Sequence, residues 1–165
     1  MASEPSTPEN WAWRTGTLEP GPAAIFDLDG VLADANGRQH YLEGRTRDWD
    51  GFFRAAGGDA LLEDSARLLH VLGETLQVVL LTARPLFIRP ATIDWLAAHD
   101  LEWDLLVMRP DGDRTASRRY KQASIHALRA VGFDPVIGFE DDIRNVEMLR
   151  AEGVPCIYIH SGYYD

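Results

Sequence analysis

Short apolar runs alternate with stretches of helical periodicity through most of the chain. Five runs predict strands one to five, over residues 23–28, 77–81, 105–108, 136–139 and 155–159. Each run is apolar on both faces, which is typical of strands buried inside a parallel sheet. Apolar residues at helical spacing predict helices between them, over about 63–72, 90–99, 121–131 and 143–152. The alternation predicts an α/β fold: a parallel five-stranded sheet with helices on both faces, in a Rossmann-like three-layer sandwich.

Two segments fall outside this alternation. Residues 1–21 are polar and contain proline, serine and glutamate, so we expect a flexible leader whose Trp11 and Trp13 pack on the body. Residues 33–58 mix aromatic side chains with glycines and charges, which indicates a small insert after strand one. The remaining chain, residues 22–165, is predicted to form one domain.

Composition narrows the setting and the partners. No apolar run approaches the roughly 18 residues that cross a membrane, so no membrane partner is expected. The single cysteine, Cys156, cannot form an internal disulfide, which favours a reducing cytoplasm. The net charge of −10 argues against a broad nucleic-acid footprint, although a local basic pocket can still bind one phosphate. Since Lys121 is the only lysine beside fifteen arginines, any lysine-specific role must belong to it.

Polar side chains collect where the predicted strands end, and ligands of such sheets bind beyond the carboxyl ends of the strands. Asp27 and Asp29 lie at the end of strand one at positions i and i+2, so their side chains point the same way, and Gly30 allows a sharp turn. One carboxylate can serve as a nucleophile and the other as a general acid/base. The alternative is a turn that carries two solvated acids.

The run Glu140-Asp141-Asp142 follows strand four and adds further carboxylates. Mg²⁺ prefers hard oxygen ligands, and carboxylates from two strand ends together with a phosphate oxygen would supply them. The alternative is an acidic first turn of the helix over residues 143–152, favoured by the helix dipole. We assign Asp142 to that helix, and Glu140 and Asp141 to a metal site.

Thr82 and Lys121 complete a candidate phosphate site. The Thr82 hydroxyl, at the end of strand two, can donate a hydrogen bond to phosphate. Lys121 opens the predicted helix over residues 121–131, between strands three and four, and can bridge phosphate and Asp27. Separately, threonines are usually caps and lysines usually surface groups. Arg84 and Arg109, at the ends of strands two and three, are candidate substrate contacts.

In chain order these residues resemble the four signature motifs of the haloacid dehalogenase superfamily: residues 27–32, Thr82, Lys121 and Glu140-Asp141. The resemblance implies sheet order 5-4-1-2-3, with Asp27 as the nucleophile and Asp29 as the acid/base. It also implies Mg²⁺ held by the Asp27 carboxylate, the Asp29 backbone carbonyl and Asp141. The second aspartate of the first motif implies a phosphatase, because the dehalogenase branch lacks it.

The chain is more closely similar to the 3′-phosphatase domain of bacteriophage-type polynucleotide kinase-phosphatase. The stretches that carry this likeness are residues 48–52, 81–85, 92–96, 108–113 and 146–149. Ala83 stands where that family often has glycine, Glu140 where it often has aspartate, and Arg114 lies one place early. The resemblance implies a small insert instead of a large cap, and a site open to a bulky substrate.

The leading hypothesis is therefore a Mg²⁺-dependent phosphomonoester hydrolase with an aspartyl-phosphate intermediate. Its favoured substrate is a 3′-phosphate of a nucleic-acid end or a nucleotide. The acidic net charge suits the alternative better, a phosphatase of small metabolites or free nucleotides. A third hypothesis is a non-catalytic phosphate-binding module of the same fold, against which the joint presence of the motif residues argues.

Overall fold

A six-stranded sheet forms the centre of the protein. The structure is a computed structural model that describes residues 7–16 and 19–165. Five strands are parallel and correspond to the five predicted ones: β2 (Pro22–Phe26), β5 (Gln77–Pro85), β6 (Leu105–Arg109), β7 (Asp134–Glu140) and β8 (Cys156–Tyr158). They lie in the order β8-β7-β2-β5-β6, which is 5-4-1-2-3 in the numbering of the predicted strands.

The sixth strand corrects the prediction of a five-stranded, wholly parallel sheet. The strand β1 (Trp11–Trp13) pairs antiparallel with β6 at the sheet edge, although these residues lie in the predicted flexible leader. Trp11 is buried, and the ring of Trp13 stacks on Phe133 with centroids 6.0 Å apart, so the expected packing of both tryptophans is confirmed. Residues 1–6 and 17–18 of that segment lie outside the described residues.

Helices cover both faces of the sheet and make the expected three layers. Helices α2 (Glu63–Gly73) and α3 (Arg89–Ala98) pack on one face, through buried residues such as Leu69 and Leu96. Helices α4 (Ser117–Ala130) and α5 (Ile143–Ala151) pack on the other, through residues such as Leu128 and Leu149. Successive β2 side chains point to opposite faces, as strand geometry requires, and both of its faces are buried.

The insert after β2 is an ordered segment closed by a small hairpin. Strands β3 (Ala33–Asp34) and β4 (Ala60–Leu61) pair antiparallel and bring its two ends together. Between them lie the 3-10 helix Asn36–Leu42, helix α1 (Trp49–Arg54) and the 3-10 helix Ala55–Gly58. The insert thus extends slightly beyond the predicted residues 33–58.

One predicted boundary that affects the site is wrong. Lys121 was expected to open its helix, but α4 begins at Ser117 and Lys121 lies in its second turn. Apart from the buried Tyr120, the first turn consists of the half-buried Ser117 and the exposed Arg118 and Arg119, so it carries no apolar signal to mark the start of the helix. The shift turns the Lys121 side chain into the interior, where it is 1% exposed.

Among the helices of the described residues, none combines the length and apolar character needed to cross a bilayer.

Candidate active site

The loop after β2 holds Asp27 in a fixed position beneath a tight turn. The Asp27 backbone N–H donates to the Phe139 carbonyl at 3.1 Å, and the Leu28 N–H donates to Asp27 Oδ1 at 2.8 Å. Gly30 follows at φ +82°, a conformation that favours glycine. A Cβ at Gly30 would lie 2.0 Å from Asp141 Oδ2, so glycine is also required for the two loops to approach each other.

Lys121, in helix α4, forms an ion pair with Asp27. Its Nζ lies 3.0 Å from Asp27 Oδ2 and also forms an ion pair with Glu140 at the end of β7. Burial opposes the charge on Lys121, but the adjacent Asp27 and Glu140 carboxylates outweigh it and raise the pKa of the ammonium. The lysine is therefore a fixed cation beside the predicted nucleophile.

Three carboxylates form a compact buried group that can hold a metal ion. Ligand atoms of Asp27, Glu140 and Asp141 all lie within 4.8 Å of one another. Burial, then the nearby charge of Asp27, raises the pKa of Asp141 to about 7, and the same causes raise the pKa of Glu140.

Asp141 shows that this group suits a cation. Neither of its buried carboxylate oxygens has a partner in hydrogen-bond geometry among the described residues, although the nearby Ser161 side chain partly offsets the rise in the pKa of Asp141. Buried unpartnered carboxylate oxygens are costly, and a hard divalent cation such as Mg²⁺ satisfies them. The neighbouring Asp142 caps α5 instead, accepting from the Arg144 N–H at 3.0 Å, as the sequence predicted.

Thr82 and Arg109 border the same group. Thr82 is 1% exposed, and its Oγ1 accepts from the Arg84 N–H at 3.1 Å, which leaves the hydroxyl hydrogen free to donate. The guanidinium carbon of Arg109 lies 5.2 Å from the Tyr120 ring centroid, and its buried Nε has no hydrogen-bond partner among the described residues. Thr82, Arg109, Asp27 and Lys121 line one cleft.

Two arginines hold the side chain of Asp29. Its Oδ1 accepts from Arg38 at 2.7 Å and from Arg84 at 2.6 Å and 3.0 Å. Asp59 bonds both arginines, at 3.4 Å from Arg84 and at shorter distances from Arg38. Burial raises the pKa of Asp29, but the charges and hydrogen bonds of Arg84 and Arg38 lower it further, so the net shift is downward. The Asp29 carboxylate is therefore held ionised.

This network corrects the prediction that Arg84 contacts substrate. The Arg84 side chain is buried, its nitrogens donate to Asp29, Asp59 and the Thr92 hydroxyl at 3.2 Å, and it is not among the residues that line the cleft. Sequence reasoning also missed Arg38 and Asp59. Arg38 belongs to an insert without clear periodicity, and among fifteen arginines nothing in its neighbourhood indicates burial.

The cleft above these groups is large. Its volume is about 1530 Å³, and it is lined by the insert, by the loop after β6 and by the C-terminal residues 161–164 as well as by the strand ends. Pockets for small ligands usually measure about 300–1,000 Å³. The site therefore has room for a substrate larger than a phosphate ester of a small metabolite.

Comparison with known families identifies the chain. The family model of the polynucleotide kinase PNKP phosphatase domain matches residues 21–164. The chain belongs to this family. It is thus a phosphatase domain of the haloacid dehalogenase superfamily, and the predicted resemblance is confirmed. Phosphatases of this superfamily generally use Mg²⁺, with which the buried carboxylates of this PNKP-type domain are compatible.

Solved structures support the same placement. Chains in two structures of a Pnkp1/Rnl/Hen1 complex, one of them described as an RNA repair complex, are 26% identical to this domain, with TM-scores of 0.72 and 0.73. They cover 92% of this chain, which spans only 46% and 49% of theirs. A haloacid dehalogenase-like hydrolase from Streptococcus pneumoniae is 17% identical with a TM-score of 0.58, over 87% of this chain and 86% of its own, which shows the fold. No curated protein sequence matches the chain.

Proposed function

We propose that this domain hydrolyses the 3′-phosphate of a nucleic-acid end or nucleotide through an aspartyl-phosphate at Asp27, with Mg²⁺ as its cofactor. The observation that carries the proposal is the convergence of Asp27, Lys121 and two further carboxylates, with both Asp141 oxygens unpartnered. Asp27, Glu140 and Asp141 would hold the ion, together with the Asp29 backbone carbonyl that the family resemblance implies. When bound, Mg²⁺ neutralises charge on the phosphoryl group.

The first step forms the phosphorylated enzyme. A carboxylate oxygen of Asp27 attacks phosphorus, and the bond from phosphorus to the substrate oxygen breaks. The Leu28 N–H and Lys121 keep the Asp27 carboxylate oriented toward phosphorus. Such orientation of the reacting groups lowers the activation barrier. The Thr82 hydroxyl and Lys121 donate to the phosphoryl oxygens, and Arg109 contributes positive charge beside them.

Asp29 serves both steps in turn. The negative charge of the incoming phosphate raises the pKa of the Asp29 carboxyl, so the carboxyl gains a proton that it then passes to the leaving oxygen. In the second step the ionised Asp29 takes a proton from water, which attacks phosphorus and releases inorganic phosphate and Asp27. The two arginines favour the ionised form that this second step needs.

Nucleic-acid 3′-phosphates are favoured as substrates by the family and by the size of the cleft. One related protein occurs in an RNA repair complex, which is consistent with a phosphorylated nucleic-acid end. The second candidate is a phosphatase of small metabolites or free nucleotides, which the net charge of −10 favours.

Turnover of a panel of phosphate esters, with Mg²⁺ and with EDTA, tests the proposal. We expect a 3′-phosphorylated oligonucleotide to exceed p-nitrophenyl phosphate in kcat/KM, with activity lost in EDTA. Equal values would reject the nucleic-acid substrate and favour the second candidate. Asp27→Asn should abolish turnover and acid-stable labelling of the enzyme by radioactive phosphate, whereas Asp94→Asn, an exposed change on α3, is the matched control. Near-normal turnover by Asp27→Asn would reject the covalent route.

A further inference from the structure

Three aromatic side chains at one side of the cleft have no role in the chemistry described above. Trp49 is 46% exposed, Phe87 is 38% exposed and Phe53 is partly buried, and all three line the cleft that contains Asp27. The Trp49 and Phe53 rings are stacked, with centroids 5.8 Å apart and planes inclined by 27°. We call Trp49, Phe53 and Phe87 the aromatic wall.

The wall rests on a firmly anchored support. Helix α1, which carries Trp49 and Phe53, is capped by Asp48, whose Oδ1 accepts from the Gly51 N–H at 2.8 Å. Its Phe52 is buried beneath the wall and lies under the Arg38 guanidinium, at 4.3 Å from the ring centroid. Because the Asp48 cap and the buried Phe52 hold helix α1 in place, Trp49 and Phe53 present a preformed surface, which lowers the entropic cost of binding a ligand.

The charges around the wall indicate what kind of ligand it takes. Arg54 lies 5.0 Å from the Phe87 ring centroid, and Arg47, two residues before helix α1, also lines the cleft. Glu43 and Asp50 line it as well, so the positive and negative charges are nearly balanced. A balanced lining does not favour a long polyanion. It favours a flat, uncharged group that stacks on aromatic rings, attached to a phosphate bound at Asp27.

An unpaired nucleobase has these properties, because every base offers a π face that stacks on Trp, Phe or Tyr whatever its sequence. We propose that the aromatic wall stacks one or two unpaired bases next to the phosphorylated 3′ end, and thereby selects single-stranded ends. This inference rests on the proposed function, which supplies the phosphate that anchors the chain. It adds a binding site for the base, formed by Trp49 and Phe53 of the insert and by Phe87, which lies shortly after β5.

Matched substrates isolate the contribution of the base. We compare kcat/KM for a 3′-phosphorylated trinucleotide with that for the same backbone carrying abasic residues at its last two positions. Stacking on one base typically changes binding by about tenfold or more, so wild type should prefer the base-bearing substrate by about that factor. Trp49→Ala and Phe87→Ala should each reduce this preference several-fold, because the loss falls mainly on the base-bearing substrate.

Tyr158→Ala is the matched control, since Tyr158 is an aromatic residue of β8, 42% exposed and outside the cleft. It should keep the wild-type preference. Binding gives an independent readout without turnover: in an Asp27→Asn background, Trp49→Ala should weaken the affinity for a fluorescein-labelled 3′-phosphorylated oligonucleotide by about tenfold, and Trp49→Phe should restore most of it.

The outcomes separate the wall from the reaction. If wild type hydrolyses both trinucleotides equally well, or if the two wall variants keep the preference, the wall is not a base site although the phosphatase proposal stands. If wild type hydrolyses no 3′-phosphate at all, both proposals fall. A fully paired 3′-phosphorylated end that is cleaved as fast as the single strand would overturn the selection of unpaired bases. A nucleoside 3′-phosphate matching the trinucleotide would overturn the choice of a nucleic-acid end over a free nucleotide.

Discussion

Replacing Asp141 by asparagine should stabilise the metal-free protein at alkaline pH while it removes the response to Mg²⁺. The Asp141 carboxylate is 1% exposed and unpartnered, and its pKa is raised from 3.8 to about 7, by burial and then by Asp27. At about 1.36 kcal/mol per pKa unit, the charged form is disfavoured by on the order of 4 kcal/mol. The amide is nearly isosteric and carries no charge.

The pH dependence gives this prediction its sign. A carboxyl group whose pKa is raised on folding stabilises the fold fully below its unfolded pKa of 3.8, and this stabilisation is lost as the pH rises through about 7. In EDTA at pH 8 we therefore expect Asp141→Asn to raise the free energy of unfolding by up to about 4 kcal/mol. At pH 4.5 the gain should fall to about 1 kcal/mol, because Asp141 is protonated in the fold while the unfolded carboxyl is already mostly ionised.

Urea unfolding followed by circular dichroism, at both pH values with EDTA or Mg²⁺, measures these effects. Mg²⁺ at about 100 times its Kd should stabilise wild type by about 2.7 kcal/mol, and the variant by much less. Asp142→Asn is the matched control, because Asp142 already receives the Arg144 N–H and guanidinium and should gain nothing from losing its charge. A variant less stable than wild type at pH 8 in EDTA would show that Asp141 is satisfied without a metal, and would refute the reasoning.

Three further changes test the remaining parts of the site. Gly30→Ala should abolish Mg²⁺-dependent turnover, because the added Cβ would lie 2.0 Å from Asp141 Oδ2. Calorimetric titration should detect weakened Mg²⁺ binding, and normal binding would contradict the close approach of the two loops. Arg38→Gln should lower kcat by about 10²-fold and move the acidic limb of the kcat profile to higher pH, since the pKa of Asp29 rises when one cation is lost; partial rescue in Arg38→Lys is the check, and an unmoved limb would count against it. Lys121→Met should reduce the free energy of unfolding by about 3–5 kcal/mol at pH 7, because it leaves buried carboxylates without their cation. The loss should be smaller at pH 5, where the Glu140 carboxylate takes up a proton. Equal losses at the two pH values in urea titrations would refute that account.

The strand ends that carry Asp27 and Asp141 could be predicted because the strands before them are buried on both faces. Such runs are short and wholly apolar, so the point at which polar residues resume is sharp. The parallel pairing of β2 with β7 then brings the two ends together, as the alternation of strands and helices requires. The convergence of these carboxylates therefore follows from local pattern and fold class, whereas their assignment to Mg²⁺ drew also on the family resemblance.

Edge elements gave no comparable signal. β1 has three residues and pairs on one side only, so Trp11 and Trp13 read as isolated aromatics in a polar segment. Its place is set by non-local contacts: the Asn10 side chain donates to the Met108 carbonyl at 2.9 Å, and the Met108 N–H returns a bond to the Asn10 carbonyl. Pairing across about a hundred residues leaves no trace in local periodicity.

The environment of Asp29 could not be predicted for a different reason. A buried arginine looks like an exposed one in a single sequence, since burial of a charge depends on partners that are distant along the chain. Arg84 was expected at the cleft because it lies at the carboxyl end of the strand, which is correct, but the direction of its side chain depends on Asp29 and Asp59. The acidic partner and the second arginine both come from the insert, which has no periodic pattern to place them.

The insert connects the aromatic wall to the residues that hold Asp29. Arg38, which bonds Asp29, lies over the face of Phe52, and Phe52 belongs to the short helix whose neighbouring rings form the aromatic wall. A displacement of that helix moves Phe52, and we expect the Arg38 guanidinium packed on its ring to move with it, because both side chains are buried and in contact. On the roles proposed for Asp29 and the aromatic wall, the packing of this segment would therefore couple ligand binding at the cleft to the protonation of Asp29.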